Sequence, residues 1–310
     1  MAWERKAPVR RGCPARDGKE QEGNKVGLTE SCARCLYDRQ KKRYPDESYL
    51  KEVKRILEER EDEDTSPVLS YRFSQARIAR FGKTDGYGSL KKKYNDLVLR
   101  MEARLLQEIE SSEDLLRQAL AFSRVGNYID YGAMDSVDEA TFLGLFSGAG
   151  LREEEEKAYR NFSGDCQRAK RFLLLADNCG EIVLDRMLLE QIRRRFPHLR
   201  MQVMVRGGEV LNDATCEDAR YAGMEQVAEI VSNGAAVAGT VYTMLPEAAR
   251  KALDEADVVL SKGQANYESL SGQGRHIFYM FLCKCELFTS RFQVPKLTGM
   301  FVEEGRNENT

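Results

Sequence analysis

Apolar positions recur at helical spacing through the first half of the chain. Leu50, Val53, Ile56 and Leu57 share one face of a helix that starts behind Pro45-Asp46, and Leu97, Met101, Leu105 and Ile109 mark a second. Leu115, Leu116, Ala119 and Leu120 mark a third, so a predominantly helical region is expected over 28–165. The acidic run 58–64 reads as a solvated helix end. From 166 the pattern changes: short apolar runs at 172–176, 201–205, 229–232 and 257–260 alternate with helical stretches over about 181–196, from about 215, and over 246–253. Such alternation predicts right-handed βαβ units. The expected fold class is therefore α/β, with a three-layer α/β/α core and a parallel-rich sheet over 166–303, preceded by the helical region. Residues 1–27 lack apolar periodicity and are expected to form a disordered extension, and 304–310 a tail.

Charge and composition narrow the function classes. The 310 residues carry 48 Lys+Arg against 50 Asp+Glu, a net of -2, which provides no global basic field for nucleic acid. Apolar stretches such as 172–176 and 277–283 fall far short of the roughly 18 residues of a membrane span, so neither nucleic acid nor membrane is an expected partner. Eight cysteines and no apolar signal core at the start point to a reducing cytoplasm. Two tight thiol pairs stand out. Cys32-x-x-Cys35 suits half of a structural zinc site, with Cys283 and Cys285 as partners, or equally two thiols packed without metal. His198 and His276 stand in no metal-ligand spacing, which leaves a histidine-based zinc hydrolase or a Ser-His-Asp triad without support.

In an open parallel sheet, ligands bind beyond the carboxyl ends of the strands. After 172–176 come Asp177, Asn178, Cys179, Gly180 and Glu181; after 201–205 come Arg206, Gly207 and Gly208, then Asn212 and Asp213. After 257–260 come Ser261, Lys262, Gly263, Gln264, Ala265 and Asn266. Asp177, Asn178 and Asp213 offer hard oxygen donors from adjacent strand ends, suited to Mg²⁺, Mn²⁺, Co²⁺ or Ni²⁺. Lys262 beside Gly263 is a point charge for phosphate, so metal and lysine together indicate phosphoryl chemistry. The plain alternative makes Asp177 and Asp213 helix caps. Cys179 reads as a small buried side chain, and 126–132 as a polar-aromatic loop between helices.

Gly126-Asn127-x-Ile129-Asp130, Asp177-Asn178-x-Gly180-Glu181, Arg206-Gly207-Gly208 through Asn212-Asp213-Ala214-Thr215, and Lys262-Gly263-Gln264-Ala265-Asn266-Tyr267-Glu268 occur in that order. Together they resemble the metal-dependent damage-control phosphatase family, and Cys32-Ala33-Arg34-Cys35 resembles its bacterial and archaeal subgroup. The resemblance runs from about 29 to 303. It implies a divalent metal at Asp177, Asn178 and Asp213, and hydrolysis of phosphate monoesters of small metabolites such as sugar phosphates or damaged phosphorylated compounds. It also implies that Asn127, Asp130, Glu181 and Asn266 line the cleft, and that Lys262 contacts the phosphate. Asp177 serves there as a ligand, with water attacking, or as a nucleophile that forms a phospho-aspartyl intermediate. Two features depart from the family pattern: the basic extension 1–27, and Glu286-Leu287-Phe288 after Cys283-Lys284-Cys285 in place of a proline-containing continuation. Two other readings of the same residues are a Rossmann-like enzyme binding S-adenosylmethionine or a nucleotide, from which the G-x-G-x-x-G fingerprint is missing, and a non-catalytic binding module stabilised by metal at the cysteines. The oligomeric state has no signature in the sequence.

Overall fold

A computed structural model describes residues 26–83, 86–131 and 143–306, and the side chains of Asp130 and Tyr131 lie outside that description. Most of the expected extension 1–27 and of the tail 304–310 falls outside it too.

Local signals start the helices. Thr29 accepts the Cys32 N–H to cap α1 (Glu30–Arg43), whose last turn carries Lys41, Lys42 and Arg43 against the helix dipole. Asp46 accepts the Tyr49 N–H to cap α2 (Glu47–Glu58). These two helices pack with α3 (Ser66–Phe81) around Leu36, Tyr49, Val53, Leu57, Leu69 and Phe73, a small core of their own. α3 is not apparent in the apolar pattern, because its buried face is only Pro67, Leu69 and Phe73 among polar residues. The acidic run is only partly solvated: Asp64 is buried, accepts the Glu61 N–H and pairs with Arg72. α4 (Gly88–Glu110) and α5 (Leu115–Val125) follow the predicted stripes. Residues 126–131 are not a loop but a 3₁₀ turn, Gly126–Tyr131, that continues α5. Gly126 is needed there, since a Cβ would meet Glu181 and Leu184 at 2.9 Å.

After α6 (Glu156–Arg168) the chain builds β1 (Arg171–Leu175), α7 (Glu181–Arg195), β2 (Arg200–Val205), α8 (Cys216–Tyr221) and β3 (Glu229–Ser232). It continues with α9 (Glu247–Asp254), β4 (Val258–Lys262), α10 (Gln264–Leu270), β5 (Ile277–Leu282), α11 (Glu286–Phe292) and β6 (Gly299–Glu304). The sheet order is β3-β2-β1-β4-β5-β6, parallel except for β6, which runs antiparallel to β5. Alternation along the strands sorts side chains between two layers. Phe172, Leu174, Val203, Val205, Leu260, Phe278 and Met280 face α4 to α7, while Leu173, Leu175, Met204, Val259, Tyr279 and Phe281 face α9 to α11. The chain is thus a three-layer α/β/α protein with helices ahead of the sheet. Strand order reverses between β1 and β4, which sets a crevice at their carboxyl ends. No helix among the described residues is long and apolar enough to cross a membrane.

Candidate active site

Backbone bonds beyond β1 and β2 bring the predicted residues together. Ala214 N–H donates to Asp177 O and Cys179 N–H to Asn212 O, each at 2.8 Å, and Asn178 and Asp213 form an antiparallel bridge. The two loops are laced to each other at the crevice. Neither aspartate caps a helix: Gly180 precedes α7, and Thr215 with Asp218 forms the capping box of α8. On the β4 side, Gly263 (φ +83°) lies against Asp177, where a Cβ would fall 2.1 Å from the carboxylate Oδ2.

The side chains form a continuous polar network. Asp177 Oδ2 accepts from Asn127 Nδ2 at 3.0 Å and from Asn178 Nδ2 at 2.8 Å. The same two amides donate to Glu181 Oε2 at 3.0 and 3.1 Å. The Arg206 guanidinium reaches Asp213 Oδ2 at 2.6 Å, Asp177 Oδ1 at 3.4 Å and Asn266 Oδ1 at 3.3 Å. Asn266 is fixed in turn, donating to Lys262 O at 2.6 Å and to Ala176 O at 3.2 Å. All of these residues are buried.

Asn127, Asp177, Asn178, Glu181, Asp213 and Asn266 therefore meet at one place. Only the backbone of Asp130 is described. Lys262 lies deeper than a lysine on a loop would. It is the last residue of β4, paired with Met280, and its ammonium contacts Ser123 O and Oγ at 3.1 and 2.6 Å, Asp185 at 2.6 Å and Glu181 at 2.8 Å. A phosphate contact would require that ammonium to give up one of those oxygens. Asp185, Ser123 and the hub position of Arg206 are absent from the sequence reading. Glu181 and Asp185, four residues apart on a helix whose buried residues are mostly apolar, were the available signal.

Electrostatics follow from burial. Burial, with the charges of Asp213 and Glu181 behind it, pushes the Asp177 carboxyl well above the usual carboxylate range, against the pull of Arg206 and Lys284. Burial also raises Asp185, to about 6, with Lys262 opposing. For Lys262 burial works downward, but Asp185 and Glu181 outweigh it and hold the ammonium above its ordinary value. Burial raises the Cys179 thiol, which makes it an inert packing group.

The donor set fits a divalent ion. The buried carboxylates Asp177, Glu181, Asp185 and Asp213 face the buried cations Arg206 and Lys262, with Lys284 also acting on Asp177, so among the described residues carboxylates outnumber cations and a bound cation would relieve the excess. Asp177 and Asp213 already share one positive group in Arg206. Asn178 turns its amide nitrogen to Asp177 and gives its oxygen to Asn212 at 3.0 Å, so ligation through oxygen requires the amide to turn over.

Two other places offer ligand-type side chains. Asp165, His276 and Glu303 are the one set of three such groups gathered within 4.8 Å among the described residues, and they lie at the opposite end of the sheet. Arg306 occupies that cluster, paired with Asp165 at 2.5 Å and with Glu303. Cys32 is half-buried and Cys35 exposed on α1, Cys283 is buried and Cys285 half-buried; all four are free thiols, and no gathered set among the described residues includes a cysteine.

Comparison with known proteins gives a consistent result. The profile of the damage-control phosphatase ARMT1-like domain matches residues 28–298. A damage-control phosphatase of Archaeoglobus fulgidus is 35% identical over 211 residues, covering 66% of this chain and 71% of the relative. A damage-control phosphatase of Pyrococcus horikoshii is 25% identical over 253 residues, covering 78% and 83%. In fold, the chain is similar to the crystal structure of a DUF89 family protein from Pyrococcus horikoshii, with a TM-score of 0.74 and 19% identity over 90% of this chain and 99% of that one.

Proposed function

The chain belongs to the damage-control phosphatase ARMT1-like family, and from that premise we propose that it is a divalent-metal-dependent phosphatase hydrolysing phosphate monoesters of small metabolites, sugar phosphates or damaged phosphometabolites. Asp177 and Asp213 carry this reading: two buried carboxylates at the strand-order reversal meet at the Arg206 guanidinium, among buried carboxylates that outnumber the cations. Asp177, Asn178 and Asp213 would hold Mg²⁺, Mn²⁺, Co²⁺ or Ni²⁺. Bound there, the ion supplies Lewis-acid polarisation of a phosphoryl oxygen.

The remaining work falls to the chain. Asn127 and Asn178 orient Asp177 and Glu181 by donating to both. In this reading Asp177 is a ligand and water the nucleophile, with Oδ2 of the carboxylate oriented by two amides and Oδ1 by a long contact to Arg206. Lys262 and Ser123 fix Glu181 and Asp185, and burial of the group keeps bulk water from weakening its field. Asn127, Asp130, Glu181 and Asn266 line the substrate cleft in this reading. With it go a small phosphorylated metabolite as partner, without nucleic acid or membrane, and a cytoplasmic setting.

The test is a panel of phosphate esters offered to purified protein with each of the four ions and with a chelator. Metal-dependent release of inorganic phosphate that the chelator abolishes is the expected result. Undiminished release after chelation, or binding of S-adenosylmethionine or a nucleotide with no ester hydrolysed, overturns it.

A further inference from the structure

The two buried cations of the site differ in what they still have to give. Lys262 has three N–H donors and four oxygens within reach, from Ser123, Asp185 and Glu181, so its ammonium is saturated. Arg206 has five donors. Its Nε holds Asp213 at 2.6 Å, but the two Nη groups reach Asp177 and Asn266 only at 3.4 and 3.3 Å, the outer limit of a hydrogen bond. The loosely held edge of the guanidinium is thus the Nη side, turned toward Asp177 and Asn266.

The backbone beneath Arg206 is firmly held. Its N–H donates to Ala214 O at 2.9 Å and it bridges to Thr215, while Gly207 N–H donates to Asn233 Oδ1 at 2.7 Å. A guanidinium on so fixed a stem presents its fork at a set place, a geometry that matches the oxygens of a phosphoryl group. A dication between Asp177 and Asp213 would neutralise the carboxylates that now attract the fork. The Nη edge, held now only by long contacts, would then have donors to offer a phosphoryl oxygen beside the ion.

We propose that Arg206 is a phosphoryl-binding side chain of the site: in the metal-free chain it acts as counter-ion to Asp177 and Asp213, and with the ion in place its Nη groups bind the phosphate oxygens. This rests on the phosphatase reading above and adds Arg206 to the phosphate contact that the sequence resemblance gives to Lys262.

The test measures Mg²⁺ binding alone by calorimetry, then binding of inorganic phosphate to the Mg²⁺-loaded protein, for wild type, Arg206→Lys and Arg206→Gln. Arg206→Lys keeps a buried positive charge, and therefore the fold, while losing the fork. Expected are Mg²⁺ affinities no weaker than wild type in both variants, with phosphate affinity about tenfold lower in Arg206→Lys and lower still in Arg206→Gln. If Arg206→Gln fails to fold, the lysine variant decides alone. Phosphate affinity within twofold of wild type in a Mg²⁺-loaded variant makes Arg206 a structural counter-ion and overturns the proposal. So does loss of Mg²⁺ affinity in step with phosphate, which would mark a residue that only positions the ligands. A wild-type protein that binds neither Mg²⁺ nor phosphate overturns the phosphatase reading and this proposal with it.

Discussion

At the carboxyl ends of β1, β2 and β4, and again at the opposite end of the sheet beside β5 and β6, carboxylates gather round an arginine, yet the two clusters are in opposite electrostatic states. Around Arg306, two carboxylates meet a guanidinium, the His276 ring at 2.9 Å and an Asn161 amide at 2.6 Å. Burial alone would raise Glu303, but hydrogen bonds from His276, Asn161 and Arg306 outweigh it and hold that carboxyl down at about 2. Around Arg206 the carboxylates outnumber the cations, and Asp177 is driven the other way, well above the usual range. Residue types hardly separate the two, and the amino-end cluster even looks the better metal site by inventory. What separates them is whether the charges are satisfied. The first arrangement staples α6 to β6, and the second leaves Asp177 raised among carboxylates that outnumber the cations.

The sharpest way to break this contrast is to remove a carboxylate from each cluster. Asp177→Ala or Asp213→Ala should lower turnover about a thousandfold, roughly 4 kcal/mol of transition-state stabilisation, with the far-ultraviolet circular dichroism unchanged. Wild-type rates in both would move the active site elsewhere. Glu303→Gln should leave turnover per folded molecule intact and lower stability at neutral pH by on the order of 2–3 kcal/mol. A carboxylate whose value is lowered in the folded chain stabilises it in full above the unfolded value of about 4.5, and that stabilisation fades as pH falls toward 2. Denaturant midpoints between pH 6 and 2 should therefore fall more steeply for wild type than for Glu303→Gln, and parallel curves would show that the staple contributes nothing. The smallest effect is expected at Cys32 and Cys35. The double serine variant should lose no more than about 1 kcal/mol and keep its turnover per folded molecule, because one thiol is exposed and the other half-buried. A larger loss, accompanied by release of one zinc per chain, would establish a structural metal on α1.

Local signals explain what the sequence disclosed. The four apolar runs at 172–176, 201–205, 229–232 and 257–260 became β1 to β4 because each is bounded by polar-glycine segments, which carry Asp177, Asn178 and Asp213 on loops and Asn266 in the first turn of α10. Where position depends on distant partners, the pattern is silent. β4 continues two residues past its apolar run since pairing with β5 extends to Lys262 and Met280. Strand alternation then sends the lysine toward α5 and α7 instead of leaving it on a loop. β6 is a half-buried edge strand ending in two glutamates, too weak an alternation to read without β5 beside it. Arg206 reads as a loop residue until the fold closes it onto Asp213.

The lacing of the loops beyond β1 and β2 bears on how the protein is made. Asn127 and Asp177 are 50 positions apart, Asp177 and Arg206 29, Arg206 and Asn266 60, and Ser123 and Lys262 139. No stretch of nascent chain short of β4 holds the complete set, and each of these contacts closes a long loop before it gives anything back. Catalytic competence should accordingly emerge in refolding only with the slowest structural phase, and a fragment ending before Lys262 should possess none, however native its helices.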